Sequence, residues 1–242
     1  MRTSRLTTTA GILALTAALA GCTSGVGAAA APGASSSSAA PSRPQSPDSA
    51  RLQAALLQLG DLPEGWIAGG SPERDSGTME AFRACLGTPT DGADRLMEAS
   101  SPTFTEGATG YVYSWVGSFR SQQRVDADTV LFRGTKAADC FTGALTAGLR
   151  ETTRTAGTSF GTPKVEVTVG SGEGPSNVVA TATATVPATS TSGRDMTLYW
   201  QYVFLAGRST EAVVGTGTVD APLATDVRNR AIEAVAQRVA AF

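Results

Sequence analysis

Apolar residues recur along this chain with two different periods, and the places where one gives way to the other outline a fold. Between Asp48 and Gly60, residues Leu52, Ala55, Leu56 and Leu59 fall at i, i+3, i+4 and i+7, the spacing of one helical face. Asp48 is placed to cap that helix and Gly60 to end it. Next comes Leu62-Pro63-Glu64-Gly65-Trp66, whose proline and glycine predict a type I turn that delivers Trp66 into the core. A second short helix is expected near Thr78 to Leu86, with Met79, Phe82 and Leu86 on one side and Cys85 beside them, broken by Gly87, Thr88 and Pro89. From Thr109 to Phe119 the period falls to two, and Tyr111, Tyr113 and Trp115 alternate with Val112, Ser114 and Val116 as in a strand with one aromatic face. Helical spacing returns over Gln122 to Phe132 and over Ala137 to Thr152, where Phe141, Leu145 and Leu149 align with Cys140 one position away.

After Lys164 the period is two again. Val165, Val167 and Val169 mark one strand, Val178, Ala180, Ala182, Ala184 and Val186 the next, and Met196, Leu198, Trp200, Tyr202 and Phe204 a third. Ala188 to Arg194 reads as a hairpin loop, and Gly207-Arg208 as a tight turn into a last strand around Glu211 to Val214. The alanine row leaves room for a helix to approach closely. Beyond Pro222, Leu223, Val227, Ala231, Val235, Val239 and Phe242 trace one helical face to the C-terminus. Consecutive strands with short links imply an antiparallel sheet. The expected class is therefore α+β: a single domain with a sheet of about five strands and helices mainly on one face.

The N-terminal segment follows neither period. Arg2 and Arg5 precede an apolar run from Gly11 to Leu19 that is too short to span a bilayer, and Leu19-Ala20-Gly21-Cys22 then matches the box at which a bacterial lipoprotein is cut and lipidated. Residues 1–21 are thus expected to be a lipoprotein signal peptide, with Cys22 carrying a diacylglycerol whose two acyl chains suffice for stable anchoring. Residues 22–47, almost entirely Ala, Ser, Gly, Pro and Thr, have no apolar pattern with which to fold and read as a tether of about 25–30 Å root-mean-square span. Residues 48–242 form the extracytoplasmic domain, on the outer face of the cytoplasmic membrane.

Charge and cysteine content sharpen that picture. Removing Met1 to Gly21 takes two arginines and no acid, leaving 17 basic against 21 acidic side chains, which argues against nucleic acid as a partner. With Cys22 lipidated, Cys85 and Cys140 are the remaining thiols in an oxidising compartment, and a disulfide between them would clamp two helices together. The close C-x-x-C spacing of a redox pair is absent.

The chemistry is mostly negative. The chain has no histidine, which removes Ser-His-Asp and Cys-His catalysis and His-bound zinc. Gly157-Thr158-Ser159-Phe160-Gly161 has the form of a nucleophile elbow but lacks a base, and Gly170-Ser171-Gly172-Glu173-Gly174 precedes a strand where a phosphate loop would precede a helix. Asp126 and Asp128 have the first spacing of a calcium loop without its continuation, and read as a solvated helix face. Lys136 and Lys164 lack the S-x-x-K context of acyl transfer. No catalytic residue, metal ligand or cofactor is assigned. What remains is aromatic surface: Tyr111, Tyr113, Trp115, Trp200 and Tyr202 would line a groove for an apolar ligand or else pack in the core, which the scarcity of aromatics favours.

The Leu56-Leu57 helix, the Leu62-Pro63-Glu64-Gly65-Trp66 turn, Cys85 and Cys140, the hairpins with the Gly207-Arg208 turn and the amphipathic last helix together resemble secreted or lipid-anchored actinobacterial domains, in particular the PknH-type extracellular sensor domain family. The resemblance spans roughly Pro47 to Phe242. It implies an antiparallel sheet with helices packed on it and a cleft of unknown ligand. The chain departs from the kinase-borne members in having one internal disulfide where they carry two. Two functions stay open: a ligand-binding or sensor-like lipoprotein of the cell envelope, and a structural or protein-interaction lipoprotein whose partner is an envelope protein.

Overall fold

Long strands in succession would each leave an apolar row exposed, and the fold packs helices on both faces of the sheet they form. In the computed structural model, which describes residues 47–70, 76–88, 94–107, 110–156, 158–170 and 174–242, the strands are β1 (Ile67–Ala68), β2 (Arg95–Ser100), β3 (Phe104–Glu106), β4 (Gly110–Phe119), β5 (Ser159–Phe160), β6 (Lys164–Val169), β7 (Val178–Thr189), β8 (Asp195–Ala206) and β9 (Thr210–Val219). The helices are α1 (Pro47–Ala55), α2 (Ser76–Leu86), α3 (Gln122–Phe132), α4 (Ala137–Ala156) and α5 (Thr225–Ala240). The expected signal peptide over residues 1–21, Cys22 and the expected tether as far as residue 46 lie outside the described residues, as do Gly157 and Ser171 to Glu173; Pro47, counted with the tether, begins α1.

The nine strands form one antiparallel sheet in the order β1-β3-β4-β9-β8-β7-β5, with β2 also on β4 and β6 also on β7. It is larger than the expected five strands because both borders are broken lines. Along the outer side of β4, β2 pairs with its second half and β3 with its first. Pro102 lies at the break, and proline cannot donate to a ladder. On the opposite border β5 and β6 both pair with β7, interrupted at Gly161-Thr162-Pro163. β1, β3 and β5 are too short to show a period of their own, and β2 masks its period because Leu96 stands on its exposed side and Arg95 on its inner side. β6 to β9 run as a meander, and β9 closes back onto β4 over Gly110 to Ser118.

Three of the five helices, α2, α3 and α4, share one face; α1 and α5 cover the other. Under α1 and α5 lie Val112 and Val116 of β4, Val203 and Leu205 of β8, and Ala212 and Val214 of β9. Trp66 is buried there, as its turn predicted, though that turn falls one residue later than a type I reading: Glu64 and Gly65 form it, with Gly65 at φ 98°, a left-handed conformation that glycine adopts without strain. The first helix stops at Ala55 and resumes as one 3-10 turn over Leu59–Asp61, where Arg238 of α5 pairs with Asp61 through two 2.7 Å bonds and donates to the Leu56 carbonyl. On the opposite face Ala180, Ala182 and Ala184 of β7 provide the flat floor on which Phe141, Ala144 and Leu145 of α4 pack.

Candidate functional site

The aromatic candidates are brought together, because the register aligns them in rows. Tyr111 of β4 lies opposite Gly217 of β9, which lies opposite Trp200 of β8; the next row is Tyr113, Gly215 and Tyr202. The glycines are required by the rings. A Cβ at Gly215 would meet the Tyr113 ring at 2.5 Å and one at Gly217 the Tyr111 ring at 2.3 Å, so both tyrosines lie flat across β9. Their own centroids are 6.3 Å apart and stacked. Trp115 folds the same way over Gly117, its Nε1 donating to Glu98 at 3.3 Å and the Arg95 guanidinium 5.7 Å from its ring.

The five rings do not share one environment. Tyr202 is 5% exposed and edge-on to Phe141 at 5.3 Å, so it belongs to the core under α4. Tyr111, Tyr113, Trp115 and Trp200 are half-buried, packed below and partly open above. Cys85 and Cys140 are bonded, with Cα atoms 5.5 Å apart, and clamp α2 to α4 as the helix phases implied.

A second constellation on this face escaped the sequence reading. Arg83 of α2 donates from one nitrogen, Nη2, to Asp128 Oδ2 of α3 and to Glu211 Oε2 of β9, each at 2.7 Å. Arg124 Nε adds a bond of 3.1 Å to Asp128 Oδ2. Asp128 is 1% exposed, which corrects the expectation of a solvated Asp126–Asp128 face: Asp126 is exposed and accepts from Gln122, whereas Asp128 points inward. The signal was phase. Asp128 follows Val125 by three and precedes Phe132 by four on the buried stripe of α3, and Glu211 is in register with Val213 on the inward side of β9. Charges at core positions mark a pairing that only the partner element completes. Burial pushes Glu211 up to about 7, opposed by the charge of Arg83 and reinforced by the neighbouring Asp128. For Arg83, burial works against the charge and the two carboxylates outweigh it, so its pKa is raised.

The remaining motifs find no chemistry. Ser159 is exposed on β5, paired with Thr189, and not on a strand-to-helix elbow. Lys136 and Lys164 are exposed. Among the described residues no group of acidic or sulfur ligands could hold a metal, and no helix is long and apolar enough to cross a membrane.

What these elements define is an α+β domain with one disulfide among its described residues, an antiparallel sheet with helices on both faces, and an aromatic row and a buried charge cluster on the same sheet face. The crystal structure of the extracellular domain of PknH from Mycobacterium tuberculosis is similar to it, at 14% identity and a TM-score of 0.42 over 78% of this chain and 95% of that one. No protein-family model and no curated protein matches the sequence.

Proposed function

We propose that this protein is a non-catalytic, lipid-anchored binding module of the cell envelope that takes an apolar ligand on the sheet face carrying Tyr111, Tyr113, Trp115 and Trp200. The observation that carries the reading is the disposition of those rings: half-buried and, for the tyrosines, laid flat over glycines that a core would ordinarily fill with side chains. Such a row offers aromatic area at little cost in side-chain ordering. Anchoring rests on the Leu19 to Cys22 box, and the tether would hold the domain clear of the lipid head groups. The other reading, a structural or protein-interaction lipoprotein, is favoured by the packing of Tyr113, Trp115 and Trp200 against the core beneath α2 and α4.

Native mass spectrometry of protein purified from its own envelope, with an apolar fluorescent probe as competitor, separates the two. Probe binding that Trp200→Ala or Tyr113→Ala abolishes, with the fold retained, supports the binding module. Absence of both a co-purifying ligand and probe binding overturns it. Cys22→Ser is expected to move the protein from the membrane fraction to the medium, and unchanged membrane retention would remove the anchor.

A further inference from the structure

The Arg83–Asp128–Glu211 cluster leaves two buried oxygens without a donor, Asp128 Oδ1 and Glu211 Oε1. A buried acceptor that nothing reaches is a cost to the fold. The charges acting on Glu211 are Arg83 from α2 and Asp128 from α3, and Arg124 of α3 stands behind Asp128. On its own sheet it lies between Gly117 of β4 and Ala206 of β8, and the span of β4 holds no charged residue. A cation is an unsuitable occupant because Arg83 Nη2 already sits between the carboxylates. The adjoining cavity, walled by Arg83, Phe132, Phe204, Glu211 and Val213 among others, measures about 10 Å³, room for a single water at most. That water would reach Glu211 without supplying Asp128. One proton on Glu211, donated to Asp128, satisfies both carboxyls at once.

We propose that Asp128 and Glu211 form a proton-binding site, and that release of the proton loosens the seat of α3 on the sheet. The step is a simple acid dissociation: Glu211 gives its proton to solvent and both carboxyls are left ionised side by side. α3 is the element that yields. α2 is fastened to α4 by Cys85–Cys140, and β9 is paired on both sides, whereas α3 rests on Val125, Phe132 and this cluster. Burial, which holds Glu211 up to about 7, places the exchange near neutrality. The sign follows from the raised value: the folded protein keeps a proton that the unfolded chain has already lost, so the folded state weakens as pH rises through that range.

The test is a carbon-13 carboxyl NMR titration of the mature protein between about pH 5 and 8, with amide exchange corrected for its intrinsic pH dependence. Glu211 is expected to titrate within about one unit of neutrality, and corrected exchange in Gln122–Phe132 to rise several-fold across the same step. In Glu211→Gln the exchange step should vanish. In Asp128→Asn, whose amide donates to a carboxylate, the Glu211 midpoint should fall. A Glu211 ionised throughout the range, or an α3 step that persists in Glu211→Gln, overturns the proposal. The wild-type titration decides by itself if a variant does not fold.

Discussion

The two faces of this sheet are built on different rules. Under α1 and α5 the strands offer valine, leucine and alanine with one ring, Phe104, and the helices answer with aliphatic residues; charge enters at the rim, where Arg238 meets Asp61 with both side chains partly wet. Under α2, α3 and α4 the strands offer rings, glycines and alanines, and a four-charge cluster sits inside. The first face closes the domain by joining its N-terminal and C-terminal helices over apolar area, with Arg238 and Arg51 bonding across the rim. The second needs a disulfide and an arginine shared between two acids to seat its helices. A face that spends aromatic and charged residues beyond what packing requires is where binding and regulation are to be sought.

The largest expected effect compares one tryptophan from each face. Trp66→Ala, on the apolar face, is expected to cost about 3–5 kcal/mol in urea unfolding, the usual penalty for truncating a buried aromatic. Trp200→Ala, half-buried on the other face, should cost roughly half as much, in proportion to the area it hides. Equal losses would erase the distinction between the faces. Next comes the disulfide: replacing Cys85 and Cys140 by alanine releases a closure of 55 residues and is expected to cost about 4 kcal/mol in the chain-entropy model. Hydrogen exchange should show Ser76–Leu86 opening before Thr225–Ala240; simultaneous opening would make the two faces one cooperative unit.

The pH dependence separates the faces more finely. Glu211, raised from 4.5 to about 7, is expected to lower stability as pH climbs between those values, by at most about 3 kcal/mol, and Glu211→Gln should flatten that limb. Asp61 behaves oppositely. Burial works to raise its pKa, but the hydrogen bonds from Arg238 and the Gln58 backbone prevail and hold it below the ordinary value. Its contribution is therefore present above the ordinary carboxylate range and is lost as pH falls through its lowered value. Arg238→Ala should give the smallest effect, about 1 kcal/mol at neutral pH, and weaken only the acid limb of urea midpoints measured against pH. An Arg238→Ala protein with an altered neutral limb would show the two faces to be electrostatically coupled.

Much of the fold was legible because its long elements carry their period in full. α3 begins and ends at Gln122 and Phe132 as the spacing indicates, and β4, β6, β7 and β8 appear where alternation placed them. β1 and β5, of two residues each, and β3, of three, are too short to alternate and exist only because a neighbouring strand offers a ladder edge. The aromatic row was legible as candidates. Its division was not, since Tyr202 and Trp200 alternate identically along β8 and differ in what lies above them: Phe141 covers the first.

By itself the sequence determined the inward apolar rows of the long elements, that Cys85 and Cys140 stand at helix phases able to meet, and that no histidine chemistry is available. Those properties are local, set by spacing of a few residues and by composition. Tertiary structure alone decided that β9 returns to β4, which lays Tyr111 and Tyr113 over Gly217 and Gly215, and that Arg83, Asp128 and Glu211 converge from three separate elements. The reason is physical: a ring over a glycine and two acids around one arginine are pairings between residues far apart in the chain, 106 positions for Tyr111–Gly217 and 83 for Asp128–Glu211. Only the packing of the elements that carry them brings such partners within reach.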